Sequence, residues 1–357
     1  MNKKVTIRDV AEAAGVSISS VHLALNGKNG VSGPTRERIR QIADDMGYQP
    51  NAIASSLKRR TQRIAVLLPG EEGSSRFFYP PVWRGVRDCL ASSADMNLEC
   101  TELSYSSENE AEVFGQVRGM VRDHRIDGLL TVGHVDAFMP DDWRRMENDG
   151  IAVVLIGSAH EDCRSLCCVQ PDYDVIGRTM AELITSHIPP YGSIFLCAGN
   201  PKWLAHALIV KGFEAYLVEH NAPNMVYKDH SWSMDERNYI HILRQISRPD
   251  VAACCSVLSQ SSILLGQALE ESGKAGRLFA VGSDLPEENI DRLKRSVLNN
   301  VIQKNPYAQG YVGTRTLVEY LVRGKCPERS SIYVGSEVVF RSNLVMYEHG
   351  RYRLLLL

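Results

Sequence analysis

Between Thr6 and Asn26 the chain reads TIRDVAEAAGVSISSVHLALN, with apolar residues on a helical period that breaks once, at Ala14-Gly15-Val16. Ile7, Val10, Ala11 and Ala14 stand at i, i+3, i+4 and i+7, one buried stripe, and Thr6 followed by Asp9 has the form of a capping box. Gly15 supplies the backbone freedom a tight corner needs. Ser17 is placed to cap a second short helix, with Val21, Ala24 and Leu25 inward and Ile18, Ser19, His22 and Leu23 outward. Asn26-Gly27 ends it. Ser32, Pro34 and Thr35 then open a third helix, whose stripe is Ile39, Ile42, Ala43 and Met46, before Gly47 stops it. Three small helices around one core are expected, the second of a size to enter a DNA major groove.

Charge points the same way. Up to Arg63 eleven bases face five acids, a head of +6, whereas the whole chain is −2, so the remainder carries −8. A basic end on an acidic body suits contact with phosphate at one end only, although +6 alone would fit any solvated surface. With 357 residues and 44% hydrophobic content there is material for a larger second body. No apolar run approaches a membrane span and the start, MNKKVTIRDV, lacks the apolar stretch of a secretory signal, so a cytoplasmic protein without membrane contact is expected. Nine cysteines, including the adjacent pairs Cys167-Cys168 and Cys254-Cys255, show no metal spacing and read as buried free thiols.

From Ile64 the period changes. Short apolar runs alternate with amphipathic stretches: IAVLL, Trp83 to Ala94, LECTEL, Val113 to Val121, GLLTV, a helix near Trp143, AVVLIG. A second series follows in SIFLCAG, the helix through Phe213, the helix around Tyr239 to Ile246, VAACCSVL, the helix around Leu264 to Leu269, LFAVGSD and VLNNVIQ. This is βαβ rhythm, and two series imply two lobes with parallel sheets covered by helices. Such sheets hold ligands beyond the carboxyl ends of their strands, so paired lobes form a cleft.

Through TIRDVAEAAGVS, VHLALNG, VSGPTRERI and MGYQPNAIASSLK, in order and with matching spacing, the head resembles the lactose-repressor (LacI) family of bacterial transcription regulators. AVGSD and VIQKNPYAQGY make the body similar to the periplasmic sugar-binding-protein fold that those regulators carry. The resemblance implies a small all-α helix-turn-helix headpiece at 1–50, a hinge helix and linker at 51–61, and an α/β two-lobed body at 62–357. Its first lobe would take 62–171 and 305–330 and its second 172–304 and 331–357, with crossings near Pro171, Lys304 and Ser330. The function implied is a ligand-responsive, sequence-specific repressor of carbohydrate-related genes, binding a near-palindromic operator in double-stranded DNA as a homodimer.

In that reading Thr6, Ser17, Ser20, Asn26, Ser32, Thr35, Tyr48 and Asn51 contact phosphate, and Ile18, Ser19, His22 and Leu23 face the bases. Asn51 caps a hinge helix too short to be stable alone, on which Ala54 and Leu57 meet the minor groove and Leu57 acts as a wedge. Effector candidates lie at strand ends: Ser75, Arg76, Phe77, Phe78, His134, Gly157, Ser158, His206, Ser259, Gln260, Asp284 and Lys304. Asp284 leads them, because a carboxylate can accept two hydroxyl hydrogens, with a helix cap ahead of Pro286 as its ordinary alternative. No catalytic residue, metal or cofactor is expected.

Some positions depart from the family pattern. Leu23 stands where many members have arginine, and His22 where serine is common, so the usual guanine-reading fork is absent. Ala207, beside His206, replaces a frequent arginine, and Lys304 a frequent glutamine. The effector is thus expected to be a sugar or polyol, with Arg76 and Lys304 admitting an acidic or phosphorylated carbohydrate. The rival classes are a sugar-binding transport receptor and a nucleotide-using α/β enzyme. The first would want a signal peptide; the second finds no G-x-G-x-x-G, no G-x-x-x-x-G-K-[ST] and no nucleophile elbow.

Overall fold

The computed structural model describes residues 5–25, 30–48, 60–134 and 137–348. They fall into two compact units, a helical head ending at Thr61 and an α/β body beginning at Gln62.

In the head, α1 (Ile7–Ala14), α2 (Ile18–Leu25) and α3 (Gly33–Asp45) share a core of Val10, Ala11, Ala14, Val21, Ala24, Ile39 and Ala43. The capping box at α1 is formed. The Thr6 backbone N–H donates to Asp9 Oδ2 at 2.7 Å, and Thr6 Oγ1 accepts from the Asp9 N–H at 3.4 Å. Gly15 closes α1 in the left-handed region, φ 63°. Arg38 Nη2 donates to the Ala14 carbonyl at 2.8 Å, tying α3 to the free end of α1.

Among the described residues the body holds two six-stranded sheets. The first contains β1 (Gln62–Pro69), β2 (Leu98–Tyr105), β3 (Gly128–Val132), β4 (Ala152–Ile156), β5 (Cys167–Pro171) and, last in the chain, β11 (Ser331–Val334), in the order β11-β5-β4-β3-β1-β2. All its pairings are parallel. Its helices are α4 (Tyr79–Ser92), α5 (Glu110–Arg122), α6 (Pro140–Asn148) and α12 (Pro306–Arg323). The second contains β6 (Ser193–Cys197), β7 (Val226–Asp229), β8 (Val251–Ser256), β9 (Phe279–Ser283), β10 (Asn300–Gln303) and β12 (Glu337–Val339), in the order β12-β10-β9-β8-β6-β7, with only β12 antiparallel. α7 (Tyr173–Thr185), α8 (Leu204–Glu219), α9 (Glu236–Ile246), α10 (Ser259–Glu271) and α11 (Glu287–Lys294) accompany it, and α13 (Val345–Glu348) closes the described chain. The central strands are buried on both faces and read as unbroken apolar runs, as parallel sheets between helices require.

The chain passes between lobes after Pro171, after Lys304 and between Val334 and Glu337. The third passage lies later than the expected Ser330. Ser331 to Val334 pair with Cys168 to Pro171 and extend the first sheet before the chain leaves it, so 331–334 belong to the first lobe.

One device recurs in both lobes. A Cβ on Gly85 would stand 2.2 Å from the Tyr307 carbonyl oxygen and one on Gly310 would stand 2.1 Å from that of Val82, so α4 and α12 meet backbone to backbone. Gly177 against Ile209 and Gly212 against Asp174 repeat this between α7 and α8, at 2.0 and 2.2 Å. Only glycine permits so close an approach.

Candidate functional site

The strands of both sheets end around one cavity of about 730 Å³. The first lobe contributes Ser74, Ser75, Phe77, Phe78 and Tyr79 after β1, Tyr105 at the end of β2 with Ser106, Ser107 and Glu110 beyond it, His134 after β3, and Gly157 and Ser158 after β4. The second contributes Trp203 and His206 after β6, Trp232 to Met234 after β7, and Leu258, Ser259 and Gln260 after β8. Lys304, Gln309 and Tyr173, at two of the passages between lobes, complete the wall. The lobes also touch directly. Arg76 Nη2 lies 2.5 Å from Glu288 Oε1, and Gln260 Nε2 donates to the Ser74 carbonyl at 3.4 Å.

Ten of the twelve expected effector residues line this cavity: Ser75, Phe77, Phe78, His134, Gly157, Ser158, His206, Ser259, Gln260 and Lys304. Asp284 and Arg76 do not. Asp284 is 1% exposed and sits inside the wall, where its carboxylate accepts from Ser259 Oγ at 2.6 Å, Ser283 Oγ at 3.2 Å and the Lys304 backbone N–H at 3.2 Å. Nor does it cap a helix, since α11 starts from Pro286 and Asp284 lies in the left-handed region at φ 59°. Arg76 leaves the cavity, half exposed, with its guanidinium 4.2 Å from the Phe77 ring centroid and paired to Glu288.

Lys304 carries a charge whose donors are already used. Nζ lies 2.9 Å from Asp284 Oδ2, 2.9 Å from the Val257 carbonyl and 2.7 Å from Ser283 Oγ. The two cations expected to favour an acidic effector are therefore committed elsewhere, one outside the cavity and one within its wall. His206 is neutral as well: burial, helped by the Lys304 charge and by His134, lowers its pKa to about 3. Its Nδ1 accepts the Asn200 N–H at 3.2 Å, which leaves the proton on Nε2.

The aromatic wall was only partly visible in the sequence. Tyr79, Tyr105, Tyr173, Trp203 and Trp232 join Phe77 and Phe78. Trp203 packs 5.1 Å from the rings of both His134 and His206 and 6.2 Å from Trp232. The Tyr79 hydroxyl lies 3.4 Å from His134 Nε2, and that of Tyr173 donates to the Gly157 carbonyl. Tyr105 is the last residue of β2 and the others stand in loops or first helical turns, and the available signal was their position at or just beyond strand ends.

In the head, Ser17 Oγ accepts the Ser20 N–H at 3.1 Å and caps α2, with the two hydroxyls 2.9 Å apart. Ser32 Oγ and Thr35 Oγ1 pair similarly at 2.7 Å. Ile18 and Ser19 are exposed, while Leu23 is half-buried and would lie 3.1 Å from a Cβ on Gly30. Tyr48 is half-buried, which raises its hydroxyl pKa. Asn26, Asn51, Ala54, Leu57 and the side chain of His22 lie outside the described residues, as does the hinge helix.

Residues 6–51 match the model for bacterial regulatory proteins of the lacI family, and residues 141–326 that for the periplasmic binding protein domain. The chain belongs to the LacI family of bacterial regulators. It is 24% identical over 328 residues to catabolite control protein A of Staphylococcus xylosus, covering 89% of this chain and 92% of that one. The maltose regulon regulatory protein MalI of Escherichia coli is 28% identical over 223 residues, 62% of this chain and 61% of that protein. Among solved structures, a putative LacI transcriptional regulator from Bacteroides fragilis superposes with a TM-score of 0.67 at 20% identity, covering 81% of this chain and all of that one. An ABC transporter solute binding protein from Burkholderia graminis, in complex with D-arabinose, gives 0.71 at 16% identity, covering 81% and 99%. This LacI-family chain is thus a DNA-binding transcriptional regulator with a two-lobed ligand-binding body. No described helix is long and apolar enough to cross a membrane.

Proposed function

We propose that this LacI-family member is a cytoplasmic repressor of carbohydrate-related genes that binds a near-palindromic operator as a homodimer and carries no catalytic activity. The observation that carries the effector half is the cavity enclosed by strand ends of both lobes, with contacts across its mouth at Arg76–Glu288 and Gln260–Ser74. A ligand there touches two lobes that the chain links through the passages at 171–173, 304–306 and 335–336, so its binding energy acts on the angle between them. A ligand that prefers one angle shifts the population of DNA-binding dimers; equal affinity for both would shift nothing.

The DNA half rests on the head. The first turns of α1, α2 and α3, flanked by Thr6, Ser17, Ser20, Ser32 and Thr35, offer backbone N–H groups and hydroxyls to phosphate, and Asn26, Tyr48 and Asn51 would extend that set. Ile18, Ser19, His22 and Leu23 read bases, and Ala54 and Leu57 on the hinge helix engage the minor groove. Two-fold protein symmetry asks for a two-fold site. The effector is proposed to be an uncharged carbohydrate. The test is selection of an operator from random duplexes by the purified protein, followed by titration with neutral sugars and polyols. A sugar that changes operator affinity at least tenfold, a shift of about 1.4 kcal/mol, supports the reading; operator binding indifferent to the whole panel refutes the effector half.

A further inference from the structure

The cavity offers hydrogen-bonding groups but no unspent positive charge, and its carboxylate best placed to grip a sugar lies behind the wall. Among the described residues lining it, Lys304 is the one lysine or arginine, and its ammonium already meets three oxygens at 2.7 to 2.9 Å. Glu110 is the one lining acid, and it would repel an anion. Asp284 is sealed off by Ser259 and Lys304.

What the cavity has in excess is ring surface. Trp203 links His134, His206 and Trp232 in one cluster at centroid distances of 5.1 to 6.2 Å, and the Phe78 ring stands 5.3 Å from Tyr79 and 5.7 Å from Lys304 Nζ. The volume of about 730 Å³ lies in the upper part of the range of about 300–1,000 Å³ typical for sites that enclose drug-sized ligands. A single sugar leaves ring-lined space unfilled. A second sugar would seat its hydroxyls against the ring-lined part of the cavity, and each buried hydroxyl without a partner there opposes binding. A planar apolar group brings none and presents faces and edges that pack on rings.

We infer that the effector is an uncharged aryl glycoside, its sugar held by the polar part of the cavity and its aromatic group packed on the Trp203 cluster. This rests on the reading of the cavity as a carbohydrate effector site and narrows it. An anionic sugar is excluded by the charge balance, and an unsubstituted sugar forgoes the ring contacts.

Matched pairs isolate the ring. The full-length protein is titrated calorimetrically with methyl and phenyl glucosides and galactosides of both anomers, and with glucose 6-phosphate. At least one phenyl glycoside is expected to bind about tenfold or more tightly than its methyl partner. Trp203→Leu should bring that ratio to threefold or less, and Trp232→Leu should lower it as well, each variant first being shown to melt cooperatively without ligand. Equal binding within every matched pair overturns the inference while leaving a neutral carbohydrate effector standing. Tighter binding of the sugar phosphate than of any neutral glycoside overturns it through the charge argument. A panel in which no carbohydrate binds removes the inference together with the reading beneath it.

Discussion

Lys304 Nζ lies 2.9 Å from Asp284 Oδ2, and the two side chains are 9% and 2% exposed. This pair joins the end of β9 to the passage that leads from β10 into α12. It stabilises the wall only while both partners are present, because a lone buried charge loses its compensation. Lys304→Met or Asp284→Ala is expected to cost about 3–5 kcal/mol in urea unfolding of the body, and the double replacement Lys304→Met with Asp284→Leu distinctly less than the sum. Additive losses would show that the pair is not coupled.

The neutral His206 sets a pH dependence. Its folded pKa of about 3 lies below the ordinary 6.5, so the unfolded chain binds a proton first as pH falls. The sign is therefore that its contribution is complete above about pH 6.5 and is lost progressively toward about pH 3. Between pH 6.5 and 5 this linkage amounts to at most about 2 kcal/mol. His206→Gln should lose less stability over that interval than the parent protein, as read from urea midpoints at several pH values. Parallel pH profiles would contradict the buried neutral imidazole.

Gly310 faces the Val82 carbonyl at a separation that admits no side chain. Gly310→Ala should push α4 and α12 apart and cost about 1–3 kcal/mol or more, and Gly212→Ala should do the same between α7 and α8. Gly115→Ala, on the open face of α5 with nothing within 4 Å, should be neutral or stabilising. Thermal unfolding of the three variants separates these outcomes.

In the head, Thr6→Ala removes a capping box and is expected to destabilise by about 1 kcal/mol. It should also weaken specific and non-specific DNA binding together. Leu57→Ala should instead lower operator affinity far more than affinity for random duplex, because a minor-groove wedge acts through one base step. Fluorescence anisotropy on both duplexes at matched salt checks the pair, and an equal loss for Leu57→Ala would count against the wedge.

The salt bridge between Arg76 and Glu288 is half exposed on the arginine side and is expected to contribute under about 1 kcal/mol to stability. Its effect should appear in the switch. Arg76→Ala is expected to change the effector's ability to alter operator affinity while leaving the urea midpoint within error; a large stability loss would refute this.

The fold was legible because its signals are local and redundant. The stripe of α1, the cap at Thr6, the corner at Gly15 and the apolar runs of β1, β3, β4, β6 and β8 each follow from residues close in sequence. Misplacement of the third passage has a local cause too, since Ser331 to Val334 carry no distinctive pattern and join β5 only through pairing with residues more than 150 positions away. For the site, position at a strand end put ten of the twelve candidates on the cavity wall, but it does not tell which way a side chain points. Trp203 and Trp232 were missed for that reason.

By itself the sequence determined the class of the protein: a helical DNA-binding head on a two-lobed α/β body, because period, caps and motif order are properties of neighbouring residues. Tertiary structure decided the character of the site. Asp284 and Lys304 are twenty residues apart, each just past the end of adjoining strands β9 and β10, and their mutual neutralisation withdraws from the cavity the two charges that a linear reading would have offered to a ligand. What remains exposed is aromatic surface gathered from loops of both lobes, a consequence of burial and pairing that no local pattern records.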